Sequence, residues 1–175
     1  MNKIFILLAA LFVVTPSISS FGLNNTKELI EVLVNTGKSH DYNEVVSAYK
    51  QLRSGDKNTF LELLENINDP RESYNYFARE KIYPDEHIIS VGEVCYDIII
   101  TYLEGETPKM VASFGSLPQQ EVLTFIEKNK NLDLINIQIK AVEYIINKLK
   151  TENKNEFIPY WQDRLEKLKN KLITN

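Results

Sequence analysis

"SVGEVCYDIIITYLEG", Ser90 to Gly105, is the most regular stretch of the chain, and its reading decides the fold class. On a helical wheel Val91, Val94, Cys95, Ile98, Ile99 and Tyr102 share one broad arc, while Glu93, Asp97 and Glu104 fall on the opposite side. Ser90 with Glu93 three places on is a capping box, and Gly105 stops the helix. The segment is therefore a core helix. Ile100 lies on the polar side and requires either a second packing neighbour or a partner.

Working outward, almost every segment after residue 25 repeats its apolar positions at steps of three and four, and none alternates as a strand does. Toward the N-terminus the spacing predicts a helix from Thr26 to Asn35 stopped by Gly37. A second helix follows, capped by Asp41 with Glu44, and a third is capped by Asp56 with Phe60, Leu63, Leu64 and Ile67 inward. The short turn at Gly55 predicts that the second and third helices pair antiparallel. After Asn68-Asp69-Pro70 comes "PRESYNYFAREKIYPDEHI", where charges and rings mix without period. A short helix is predicted there from Arg71 to Arg79, broken by Tyr83-Pro84.

Toward the C-terminus Ser116 suits an N-cap, and Pro118 suits the first turn of a helix carrying Val122, Phe125 and Ile126. Asp133 starts a long helix through Ile137, Ala141, Ile145 and Leu149, and a last one begins near Pro159. That last helix carries Trp161, Leu165, Leu168 and Leu172 as a narrow stripe, the pattern of a helix docked on its own domain, with Lys167, Lys169 and Lys171 as a solvated face. The predicted class is all-α: a single domain of about seven to eight helices in stacked antiparallel hairpins, with no sheet.

The N-terminus reads differently. "MNKIFILLAALFVVTPSISSFG" has a lysine at position 3, an apolar run from Ile4 to Val14 and a break at Thr15-Pro16 before small residues, the pattern of a cleaved signal peptide over 1–19. The apolar run is about half the roughly 20 residues that span a bilayer, so stable membrane insertion after cleavage is not expected. The cut falls after Ser19 or Ser20, and no cysteine stands beside it for lipid attachment. The mature domain, 20–175, is large enough to bury about two thirds of its unfolded surface without crosslinks. Cys95 is the only cysteine, so no intramolecular disulfide can form. Its place on the apolar arc reads as a small buried hydrophobe.

Removing Lys3 leaves 19 basic side chains against 24 acidic ones, a balance opposed to nucleic-acid binding. The short charged start of the leader and the abundance of Lys, Asn and Ile read as bacterial, which places the protein in the periplasm or outside the cell. In that setting the Asn24-Asn25-Thr26 sequon carries little weight.

"FLELLENINDP", Phe60 to Pro70, followed by "SVGEVCYDIIITYLEG", resembles the two helices of a degenerate HEAT-type helical repeat over residues about 60–105. The resemblance implies a stacked hairpin, with Gly92 and Cys95 small where helices approach closely, and a binding scaffold rather than a catalyst. The residues between Pro70 and Ser90 replace the usual short turn, and no second copy of the pattern recurs at a fixed period.

Catalytic signatures are absent from the sequence. No Gly-x-Ser-x-Gly elbow or glycine-rich phosphate loop occurs, and the two histidines, His40 and His87, lie far apart, so no metal or cofactor is expected. Glu93 and Asp97, one turn apart, could divide acid and base roles if burial separated their pKa values, but a solvated acidic face with a capping residue is the simpler reading. Arg71, Tyr74, Tyr76, Phe77, Arg79 and Tyr83 concentrate the residue types that dominate interface centres. They are the predicted partner-binding residues, unless the segment folds back as a cap over the hairpin. The sequence thus predicts an exported helical binding protein, whether inhibitor, immunity protein or scaffold, whose partner is another protein of the cell envelope. The alternative is an envelope enzyme using Glu93 and Asp97.

Overall fold

The computed structural model describes residues 25–36, 41–74, 88–105 and 112–174. The leader, His40, His87 and four of the partner-binding residues, Tyr76, Phe77, Arg79 and Tyr83, lie outside the described residues. The chain is an all-α domain, and the described residues form seven helices: α1 Thr26–Val32, α2 Tyr42–Arg53, α3 Lys57–Glu65, α4 Val91–Glu104, α5 Gln119–Asn129, α6 Leu134–Thr151 and α7 Ile158–Thr174. Two 3₁₀ turns, Phe114–Ser116 and Asn155–Phe157, join them, and the described residues contain no strand.

Polar caps set most helix starts. Asn25, Asp41, Asp56, Ser90 and Asp133 each accept from backbone N–H groups of the first turn, which would otherwise be unsatisfied. The capping box of Ser90 and Glu93 is complete. Pro118 itself occupies the cap of α5, while Ser116, expected there, lies in the 3₁₀ turn and donates to Ser113 O at 2.6 Å. After α6, Asn153 turns the chain with a φ of 56°, a left-handed conformation asparagine tolerates.

α4 is the axis of the core and packs against α2, α3, α6 and the first 3₁₀ turn. Val91, Val94, Cys95, Ile98, Ile99 and Leu103 are all buried, and burial pushes the Cys95 thiol up to about 12. The neighbour Ile100 requires is the 3₁₀ turn. A methyl built on Gly115 would meet Ile100 Cγ2 at 3.6 Å, and Ile100 is only 8 % exposed.

α3 and α4 form an antiparallel hairpin. Phe60 near the start of α3 meets Tyr102 near the end of α4 edge to face at 5.7 Å, and Gly92 lies against Ile67 at the opposite end. α6 and α7 form the second extensive pair, Lys169 of α7 reaching back to Glu143 of α6 at 3.4 Å. Trp161 is fully buried between α7 and its neighbours and donates from Nε1 to Ala112 O at 3.0 Å. Leu168 is buried, but Leu172, the last residue of the stripe, is 41 % exposed.

Three local expectations are corrected. α2 packs chiefly on α1 rather than on α3. Tyr102 supplies the reason: its hydroxyl donates to Leu52 O at 2.6 Å while its ring packs on Phe60, so α4 is wedged at the α2–α3 junction. α1 ends at Val32 because Asn35 N donates to Glu72 O at 2.8 Å. Arg71 to Tyr74 is extended instead of helical, with antiparallel bridges between Val34 and Ser73 and between Glu72 and Ser90.

Candidate functional site

The two ends of segment 75–87 meet at one place. Ser73 N donates to Ile89 O and Val91 N to Arg71 O, both at 2.8 Å, and Gly92 N donates to Asp69 O at 3.0 Å. The buried hydroxyl of Ser73 donates to Leu33 O at 2.8 Å, which ties this frame to the end of α1. Arg71 closes the frame from outside. Its Nη1 and Nη2 donate to the two oxygens of Glu31 at 2.8 and 2.9 Å, and its Nε donates to both oxygens of Asp69 at 3.0 Å. These bonds hold the Glu31 and Asp69 carboxyls below their usual range and raise Arg71. With the Arg71 side chain 43 % exposed, solvent screening keeps this network to about 1 kcal/mol or less per pair.

Two of the six predicted partner-binding residues are therefore placed, and both serve the frame. Arg71 joins α1 to the segment's base, and Tyr74, 8 % exposed, is part of the core. For these two, presentation to a partner gives way to packing and internal pairing.

Glu93 and Asp97 line a cleft of about 370 Å³ between α4 and the Gly115 turn, together with Tyr96, Ile100 and Gln119. Glu93 Oε2 accepts from Ser90 N at 2.8 Å and from Ser90 Oγ at 3.0 Å, so this carboxylate is held at the N-terminus of its own helix. A group bound in that way stabilises α4 first. Among the described residues no three His, Cys, Asp or Glu side chains converge as metal ligands.

The sequence reading missed a polar groove between α5 and α6. Tyr144 Oη donates to Glu121 Oε1 at 2.7 Å and Lys148 Nζ to the same oxygen at 2.5 Å, lowering the Glu121 carboxyl and raising the Tyr144 phenol. Behind them Phe114, Phe125 and Tyr144 pack as an aromatic cluster with centroids 5.1 to 5.7 Å apart. The available signal was Tyr144 and Lys148 at an i, i+4 spacing on the long helix; the partner across the groove, Glu121, has no local sequence mark. Protein-family models, curated proteins and solved structures provide no match to this chain.

Proposed function

We propose that the protein is an exported binding protein of the cell envelope that acts by holding another protein, as an inhibitor, immunity protein or scaffold. One observation carries the reading: segment 75–87, rich in Tyr, Phe and Arg, leaves and re-enters the fold at a hydrogen-bonded frame anchored on α1 and α4. Fixing the two ends of a chain segment in advance lowers the entropy that binding through it would otherwise cost. Tyr76, Phe77, Arg79 and Tyr83 are the contact residues in this proposal, because Arg71 and Tyr74 are engaged within the frame. The export half of the reading rests on the leader-like N-terminus. The alternative, an envelope enzyme using Glu93 and Asp97, loses support because Glu93 is engaged in its own cap.

The test uses the mature chain, 20–175, immobilised to capture envelope proteins, beside a Tyr76→Ala/Phe77→Ala/Arg79→Ala variant. The expected result is loss of a captured partner with an unchanged melting temperature. The same partners retained at the same melting temperature would remove this segment from the interface.

A further inference from the structure

The α5–α6 groove encloses about 560 Å³, within the range of small-molecule sites, and its charges do not cancel. Of its carboxylates, Glu121 is neutralised by Lys148, and Glu143 faces Lys169 at 3.4 Å. Lys128 on α5 and Lys140 on α6 also line it, one from each wall, and neither has a carboxylate partner among the described residues. The short turn between the antiparallel helices puts these two cations toward one end of the groove and Gln120 and Asn147 toward the other. The two amide side chains make no hydrogen bond within the described residues. Between the two ends lies the ring of Tyr144, held in place by its bond to Glu121 at 2.7 Å.

We propose that this groove binds an acidic sugar. Its carboxylate or phosphate lies at Lys128 and Lys140, its ring on Tyr144, and its hydroxyls at Gln120 and Asn147. Two uncompensated ammonium groups select an anion. The two exposed amides offer hydrogen bonds that a polyhydroxylated acid takes up and an apolar acid leaves unused. Nucleic acid is disfavoured by the excess of acidic over basic side chains, 24 against 19 once Lys3 is removed, which two lysines do not overcome.

The experiment is calorimetric titration of the mature chain with glucuronic acid, a trigalacturonate, maltotriose and inorganic phosphate, repeated on the Lys128→Ala/Lys140→Ala variant. Both lysines are exposed and make no ion pair among the described residues, so the variant is expected to keep its melting temperature. At least one acidic sugar is expected to bind roughly tenfold or more tightly than maltotriose or phosphate, with a loss of about tenfold or more in the variant. A preference for the trigalacturonate assigns the site to a glycan chain, and equal binding of the monosaccharide assigns it to a free sugar acid. Maltotriose or phosphate binding as well as the acidic sugars, equal titration of the variant, or no binding of either acidic sugar at millimolar concentration would each overturn the proposal.

Discussion

Gly92 shows how much one atom matters in this fold. A methyl group built on it would stand 2.5 Å from Ile67 O and 2.8 Å from Ile67 C, and both are backbone atoms that no rotamer change can move aside. Gly92 N also donates to Asp69 O at 3.0 Å, so α4 cannot slide away from the end of α3 without breaking that bond. Gly92→Ala is therefore expected to destabilise the protein by about 1–3 kcal/mol despite alanine's better helix propensity. Urea denaturation would register the loss as a lower midpoint at unchanged slope, and a neutral or stabilising result would show that the contact relaxes. Cys95, in the next turn, is fully buried as its place on the apolar arc implied, and this much was legible in the sequence: two small residues on the inner face of an otherwise bulky helix. Invisible there was the partner of Gly92, a backbone carbonyl, because main-chain contacts leave no side-chain pattern.

The helices themselves were legible because capping and periodicity are local, but α4 departs from its wheel at Glu104, which was read onto the polar side and is instead buried, accepting from Phe114 N at 2.6 Å. The expected α3–α4 hairpin is present, but the α2–α3 pairing was misread, because it depends on side chains distant in sequence. The Gly55 turn brings α2 and α3 together in sequence, yet Tyr102, fifty residues beyond Leu52, donates to Leu52 O and decides the arrangement. The extended stretch at Arg71 to Tyr74 was hidden for the same reason, since its bridges go to Val34 and Ser90 and no short-range signal announces them. Of the candidate binding segment, composition was readable and the framed base was not. That base supplies a prediction about α1. Ser73 is fully buried and donates to Leu33 O at 2.8 Å, while Asn35 N bonds to Glu72 O beside it. Ser73→Ala should cost about 1 kcal/mol and leave the C-terminal end of α1 more loosely held. Amide hydrogen exchange would then quicken at Val34 and Asn35 more than within α6, and uniform exchange across the molecule would contradict the local anchoring.

Across the whole molecule, the titrating groups define a plateau of stability with two edges set by different parts of the fold. Glu31, Asp69 and Glu121 have folded pKa values below the usual carboxylate range, held there by hydrogen bonds from Arg71 and, for Glu121, from Lys148 and Tyr144. Their contribution is fully present above the unfolded pKa of about 4 and is lost as pH falls through the folded values. Cys95 and Tyr102 lie at the opposite edge, since burial raises each to about 12. A raised acid contributes fully below its unfolded pKa, about 8.5 for a thiol and 10 for a phenol, and that contribution is lost as pH rises through the folded value. The urea midpoint should therefore be level between about pH 5 and 8, fall below about pH 4 and fall again above about pH 9. The alkaline edge separates the two core groups. Cys95→Ala, whatever constant offset its smaller volume brings, should postpone the decline until about pH 10, where the phenol of the unfolded chain begins to ionise. A decline that starts at the same pH in the variant and the parent would mean that the thiol is not what the core keeps neutral.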